Sequence, residues 1–161
     1  MLAACYGDCN VRALLLGVVI MVVGCAHSHP SAVTPAPKIK LLTLPAESDA
    51  FPDLAKAATS ALAHAKVAGV DEQATSKVSI EVVQLSIECV DPTAVCYEAA
   101  AKSLAANKLL FAQIDVDGQK PKVSVTLFDG ASNQPKTVEH TFATSKDAVA
   151  GLEGLVSEVT R

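Results

Sequence analysis

Two cysteines near the middle of the chain are the residues best placed to do chemistry. Cys89 and Cys96 lie seven positions apart. We expect Cys89 at the end of a strand and Cys96 in the first turn of the following helix. There two Cα atoms can approach within the roughly 4.4–6.8 Å that a disulfide needs. The spacing predicts a structural disulfide, and closing a loop of this length stabilises a fold by about 2–3 kcal/mol. The alternative is a redox-active pair, because a helix N-terminus lowers the pKa of a thiol.

The four histidines of the chain are scattered over its predicted elements. His27 and His29 form a His-x-His pair, which is two ligands short of a closed metal site. We expect His64 at the flank of a helix and His140 on the solvent side of a strand. None of them has an evident partner for acid–base catalysis.

Motifs of known catalytic chemistry are not found in the sequence. The sequence contains no Gly-x-Ser-x-Gly, no Ser-x-x-Lys, no Walker loop, and neither the His-x-x-x-His nor the Cys-x-x-Cys ligand spacing. Asp115 and Asp117 share one strand face, where two carboxylates beside a hairpin usually serve solubility rather than metal binding. We therefore predict that the protein is not an enzyme and uses no cofactor or metal.

The first 25 residues have the pattern of an export signal. Residues 13–23 carry no charge, follow Arg12, and end at Gly24 and Cys25. This is a charged n-region, an apolar h-region and a small-residue cleavage point. The apolar run spans roughly 16 Å as a helix, well short of a hydrocarbon core of about 30 Å. We expect export, and no permanent membrane-spanning helix.

Val22, Val23, Gly24 and Cys25 resemble the lipobox of bacterial lipoproteins. The resemblance implies cleavage between Gly24 and Cys25, a diacylglyceryl group on the sulfur of Cys25, and acylation of its new amine. Several acyl chains, each contributing ~0.8 kcal/mol per buried methylene, make a stable membrane anchor. Ala26 stands where an aspartate would imply inner-membrane retention, so the resemblance favours the periplasmic face of the outer membrane. The alternative is an ordinary secretory signal with an incidental cysteine.

The residues before this signal make a poor n-region. They include Cys5, Asp8 and Cys9 and no base, so Met1 and Val11 are both candidate starts. In either case we expect Cys5 and Cys9 to be absent from the processed chain, because they lie before Val11 and before the predicted cleavage point.

Composition limits the partners of the processed chain, which has 137 residues once 24 are removed from 161. Its net charge of −4 does not attract nucleic acid or anionic lipid. Aromatic residues make up 4% of the chain and tryptophan is absent, which argues against base-stacking platforms. Residues 25–38 are expected to contain the lipidated Cys25 that the lipobox resemblance implies, followed by a proline-rich tether. Residues 39–161 are expected to form one domain.

Apolar periodicity predicts the element order β-α-β-α-β-β-β-α for this domain. The predicted strands cover residues 39–44, 77–89, 109–116, 122–128 and 137–142. The predicted helices begin near Pro52, at Pro92 and after Thr144, and the first two end at Gly69 and near Ala106. This order predicts a single mixed sheet of α/β (α+β) class, with three parallel strands, an antiparallel meander at one edge and helices packed on the sheet.

Residues 77–89 are the most convincing strand in the sequence, with a change of face between Val82 and Val83. Such a change indicates a bulge or a central strand buried on both sides.

Local signals set the expected helix ends. Ser48 or Asp49 should cap the first helix and Asp91 the second, while Thr144 and Asp147 form a capping box for the last. Asn107 is expected as a left-handed stop.

The segment 82–116 resembles the amino-terminal α/β domain of TolB and related envelope lipoproteins. The residues that carry the resemblance are Ala106, Asn107, Lys108, Leu109, Leu110, Phe111, Ala112, Gln113 and Ile114. The resemblance implies a non-catalytic domain that senses, scaffolds or binds partner proteins. No β-propeller is expected to follow it, which leaves a lone adaptor domain.

Three functions follow as alternatives. The first is a lipid-anchored periplasmic adaptor with an envelope protein as partner. The second is an enzyme. The third is a small-ligand binder that uses the carboxyl ends of the parallel strands, an edge that includes the Cys89–Cys96 loop. The adaptor is the function we predict.

Overall fold

Five strands form one mixed sheet in the computed structural model, which describes residues 38–89 and 91–161. In chain order the strands are β1 (Lys40–Thr43), β2 (Glu72–Thr75), β3 (Lys108–Asp117), β4 (Lys120–Asp129) and β5 (Gln134–Thr141). Their spatial order is β2-β1-β3-β4-β5. The strand β1 pairs in parallel with β2 and β3, whereas β4 pairs antiparallel with β3 and β5. The predicted fold class, with three parallel strands and an antiparallel meander at one edge, is confirmed.

The hairpin between β3 and β4 turns at Gly118, as the Asp117-Gly118 dipeptide predicts. Gly118 has a φ of +65°, a left-handed conformation that glycine adopts without a Cβ clash. The pair Asp117 and Lys120 closes the ladder beside the turn.

One face of the sheet is covered by the two longest helices, α1 (Pro52–Ala63) and α4 (Ser145–Thr160). The helix α1 buries Leu54, Ala58 and Leu62 at helical spacing. The helix α4 buries Ala148, Leu152, Leu155, Val156 and Val159, which recur at helical spacing. These side chains meet sheet residues such as Leu110, Val123 and Val125 in one core.

The opposite face is covered by two shorter helices, α2 (Ile80–Ser86) and α3 (Ala94–Ser103). Successive residues of β3 point to opposite faces, so Leu109 and Phe111 lie in this second core. From α2 come Ile80 and Val83, and from α3 come Tyr97, Ala100 and Ala101. The rings of Tyr97 and Phe111 lie 5.2 Å apart, and those of Tyr97 and Phe128 lie 6.1 Å apart.

The strand predicted at residues 77–89 is wrong. That segment contains the helix α2, and the second strand is the short polar β2 before it. Ser79 caps the start of this helix, since its Oγ accepts a hydrogen bond from the backbone N–H of Val82 at 3.5 Å. The edge strand β2 has mostly exposed polar residues, which carry no periodic signal.

Several predicted helix ends also differ from the structure. The helix α1 has no side-chain cap and ends at Ala63, and Gly69 lies in a later turn. Thr93, not Asp91, caps α3 by accepting from the N–H of Cys96 at 3.3 Å.

The helix α3 ends at Ser103. The left-handed residue that follows is Ala105, with a φ of 49°, rather than Asn107. Asn107 instead accepts a hydrogen bond from the N–H of Lys40 at 2.8 Å through its Oδ1, so its side chain ties the loop to β1. The predicted cap of α4 is confirmed at Thr144, whose Oγ1 accepts from the N–H of Asp147 at 3.1 Å. The carboxylate of Asp147 accepts from the hydroxyl of Thr144 at 2.7 Å rather than from its backbone N–H, so the box is formed in part.

Candidate functional site: the α2–α3 surface

A disulfide joins Cys89 to Cys96, with the two Cα atoms 5.6 Å apart. Cys89 follows the end of a helix, not of a strand as the sequence predicts, and its N–H donates to the carbonyl of Gln84 at 2.9 Å. Cys96 lies in the first turn of α3 and has no solvent exposure. The bond therefore fixes the end of α2 to the start of α3. A buried sulfur favours the structural interpretation of this pair over the redox-active one.

Large apolar side chains are exposed in the segment of the chain that contains this disulfide. Six are exposed in the described part of the chain, and four of them lie between residues 78 and 95. We define the α2–α3 surface by these four residues: Val78, Val82, Leu85 and Val95. Leu85 is 67% exposed and Val95 is 71% exposed. Single exposed apolar residues are ordinary, but several in one short segment indicate an interaction site.

The exposed residues of α2 share one side of the helix. Val82 and Leu85 are three positions apart, so they lie one turn from each other. Ile80 and Val83 point the opposite way, into the core. The helix α2 is therefore apolar on two sides, and packing against the sheet accounts for one of them.

A carboxylate and a phenol meet where α2 and α3 adjoin. Glu81 is half-buried, and its Oε2 is buried without a hydrogen-bond partner among the described residues. Burial, and then the negative charge of Glu81, raise the pKa of Tyr97 above its usual value. A phenol with a raised pKa keeps its proton at neutral pH, which does not suit it to act as a base.

The carboxylates of Asp115 and Asp117 lie near enough to Lys122 for their negative charges to favour its charged form. Asp115 is paired across the strands with Lys122, and the hydroxyl of Thr141 donates to Asp117 Oδ2 at 3.4 Å. Lys122 Nζ also lies 3.0 Å from Glu139. This hydrogen bond and the charge of Glu139 raise the pKa of Lys122. Over residues 38–89 and 91–161 no group of three His, Cys, Asp or Glu side chains could hold a metal ion.

The two described histidines are exposed and serve local contacts. His64 Nδ1 lies 2.7 Å from the carbonyl oxygen of Ser60, one turn earlier in α1. The ring of His140 packs edge-on against Phe142, with ring centres 4.5 Å apart. The structure does not bring them together.

Two shallow grooves lie elsewhere on the domain. One, of about 560 Å³, runs between α1 and α4 and is lined mainly by small side chains such as Ala57 and Ala61. The other, also about 560 Å³, lies beside the ion pair of Lys108 and Asp129. Both are away from the carboxyl ends of β1 and β2, at Thr43 and Thr75, where a small-ligand site is the predicted alternative.

The predicted anchor lies outside the described residues. Gly24, Cys25, His27 and His29 all precede residue 38, so cleavage, lipidation and the tether stay predictions. In the described part of the chain, no helix has the length and the apolar character needed to cross a bilayer.

Comparison with known proteins finds similarity at the level of solved structures. The LpoB C-terminal domain from Salmonella enterica is 12% identical, with a TM-score of 0.39 over 67% of this chain and 86% of that one. The LpoB C-terminal domain from Escherichia coli is 13% identical, with a TM-score of 0.37 over 66% of this chain and 83% of that one. No family model matches the sequence, and no curated protein matches it. At these scores neither structural similarity assigns the chain to a family or an activity.

Sequence reasoning found the two cysteines but missed the surface beside them. The exposed residues of α2 look like buried strand residues in the sequence. Two features of the sequence could have predicted the helix α2. Ser79 can cap a helix, and Ile80, Val83 and Ile87 follow it at helical spacing.

Proposed function

We propose that this protein is a lipid-anchored, non-catalytic adaptor of the bacterial cell envelope, and that its α2–α3 surface binds a protein partner. The observation that carries the proposal is the exposed apolar cluster on a pair of helices fixed by a disulfide. Protein interfaces have apolar centres that are held in place before binding, because ordering a loose segment costs affinity.

The anchor is supported by the sequence alone. Val22 to Cys25 fit all four positions of the lipobox, at the end of an apolar run of the right length for a signal peptide. The tether of residues 25–38 would hold the domain some tens of ångströms from the bilayer, at about 3 Å per residue. A disulfide is also favoured in an oxidising compartment such as the periplasm.

A non-catalytic role is supported by the state of the titratable groups. Asp129 bonds to Lys108, Glu139 bonds to Lys122, and Tyr97 has a raised pKa. The two carboxylates are held in ion pairs and the phenol keeps its proton at neutral pH, so these three groups are poorly suited to act as general bases.

The test is co-purification of the full chain, expressed in its own host and extracted from the envelope in mild detergent. We expect an acylated N-terminus at Cys25 by mass spectrometry, and a protein that co-purifies reproducibly. Leu85→Asp should remove that protein. Val149→Asp places the same charge at an exposed valine of α4, on the other face of the sheet, and should retain it.

The same experiment can contradict the proposal. A partner that survives Leu85→Asp and is lost with Val149→Asp would move the interface to the opposite face. A mature N-terminus at Cys25 that carries no acyl group by mass spectrometry would reject the lipid anchor.

A further inference from the structure

The negative charge of this protein is concentrated in the segment that carries the exposed apolar residues. Residues 78–98 contain four carboxylates and no lysine, arginine or histidine. The four are Glu81, Glu88, Asp91 and Glu98. The whole chain has 17 acidic and 13 basic residues, so 13 of each remain outside this segment. The net charge of −4 therefore equals the charge of residues 78–98.

These carboxylates differ from the acidic residues of the sheet in how they are paired. On the sheet, Asp129 lies 2.6 Å from Lys108 and Glu139 lies 3.0 Å from Lys122. In the segment, Glu98 pairs with Lys102 at 2.6 Å, just beyond its end. None of the other three forms a salt bridge within the described residues. The charge of the segment is therefore largely uncompensated within the fold.

The acidic residues of this segment lie close in the chain to its exposed apolar residues. Glu88 is exposed and its N–H donates to the carbonyl of Leu85 at 3.3 Å. Asp91 is exposed and lies between the two half-cystines. Glu98 follows Val95 by three positions, which is one turn of α3. An apolar cluster with an acidic surround is complementary to an apolar surface with a basic surround.

We propose that the α2–α3 surface binds a protein segment in which lysine or arginine residues adjoin exposed apolar side chains. This inference rests on the proposed adaptor function and specifies the chemistry of its partner. Anionic lipid headgroups are disfavoured because they repel the exposed carboxylates of Glu88 and Asp91. A second copy of this chain is disfavoured because it would bring these two carboxylates against the same two of its partner.

The experiment uses the full chain in growing cells, with a photoreactive amino acid at position 85 as the probe. The adduct is purified and its partner peptide is mapped by mass spectrometry. The charge test neutralises two carboxylates without changing their size, as Glu88→Gln with Asp91→Asn. The matched control is Glu47→Gln with Glu153→Gln, two exposed acidic residues outside the segment.

We expect the adduct to map to a partner segment with lysine or arginine within about a turn of an apolar residue. We also expect the Glu88/Asp91 variant to lower the adduct yield about 3- to 10-fold, since each exposed ion pair contributes a fraction of a kcal/mol to about 1 kcal/mol. The control pair should leave the yield unchanged.

Each other outcome is informative. An adduct whose yield is unchanged by Glu88→Gln with Asp91→Asn overturns the basic partner and leaves the adaptor function standing. An adduct to a lipid, or to a second copy of this chain, also overturns the basic partner. If position 85 gives no adduct beyond that of a probe at the exposed Lys56 of α1, both this inference and the adaptor function fail.

Discussion

The two faces of the sheet are covered by helix pairs that differ in length and in how many large apolar side chains they expose. The helices α1 and α4 have 12 and 16 residues and turn their apolar stripes inward. Among their residues, Val149 is the one large apolar side chain that is exposed. The helices α2 and α3 have 7 and 10 residues and are held together by a disulfide. This second pair exposes Val82, Leu85 and Val95.

Packing explains the apolar residues of the first helix pair, but it does not explain the exposed apolar residues of the second. Each apolar residue on the inner side of α4 has a place in the core, so stability alone accounts for it. The exposed valines and leucine of the second pair contribute little to the core and carry a risk of aggregation. A cluster of this kind is best explained by a partner that covers it.

The largest expected effect is a contrast between two leucines, one in each helix pair. Leu152 of α4 is 3% exposed and Leu85 of α2 is 67% exposed. Leu152→Ala should lower the free energy of unfolding by about 2–5 kcal/mol, because it leaves a cavity in the core. Leu85→Ala should change it by about 0.5 kcal/mol or less. Denaturant unfolding followed by circular dichroism measures both, and equal losses would show that the surface is part of the core.

The next effect concerns the disulfide, which belongs to the second helix pair alone. Cys89→Ala with Cys96→Ala should lower the free energy of unfolding by about 2–3 kcal/mol, because the unfolded chain regains the freedom of an eight-residue loop. Hydrogen exchange should speed up first in α2 and α3. A reductant should reproduce the loss in the natural chain and have no effect on the double variant. Stability unchanged by either treatment would contradict this role.

Two glycines of α4 test how tightly the first helix pair is packed. A Cβ at Gly151 would lie 2.5 Å from Cε1 of Phe142, whereas a Cβ at Gly154 would have nothing within 4 Å. Gly151→Ala should therefore destabilise the fold by about 1–3 kcal/mol through overpacking. Gly154→Ala should stabilise it by up to about 1 kcal/mol, because alanine favours the helix. Thermal unfolding of the two variants measures both effects. If both variants were more stable than the natural chain, the ring of Phe142 would move aside freely, contrary to this prediction.

The smallest effect is on the pH dependence of stability, through Tyr97 on the buried side of α3. Its pKa is raised in the folded state, so the folded protein keeps the phenol proton above pH 10 more readily than the unfolded chain does. This contribution to stability is complete below a pH of about 10 and falls as the pH rises through the raised pKa. Absorbance titration of phenolate measures the shift, and Glu81→Gln should reduce it. With Tyr97→Phe the free energy of unfolding should fall less steeply above pH 10. An equal fall in both proteins would contradict the assignment.

The sequence predicted the first helix pair better than the second, for a physical reason. The spacing of Leu152, Leu155 and Val159 has one period because one face is buried, and Thr144 with Asp147 marks the start of α4. The Asp117-Gly118 turn is as clear, because its geometry requires a left-handed residue. In these regions local preference and tertiary packing agree.

The prediction of a strand at residues 77–89 was wrong because of the same exposed residues that form the candidate surface. Exposed Val82 and Leu85 add apolar residues to the outer side of α2, which obscures the helical period and resembles a strand buried on both faces. The four residues of β2 are polar and at the edge of the sheet, so pairing with β1 rather than any local pattern makes them a strand. The disulfide pair could be predicted from the spacing of its cysteines, but the surface could be recognised only when the core was known.

The most direct test of the account is hydrogen–deuterium exchange of the full chain in isolated envelope membranes, compared with the same chain purified in detergent. We predict that amides of α2 and of the first turn of α3 exchange more slowly in the membranes, because a partner covers Leu85 and Val95. The amides of α1 and α4 should exchange at equal rates in both samples. Slower exchange confined to α1 and α4, or equal exchange throughout the domain, would contradict the central claim that the α2–α3 surface is the docking site.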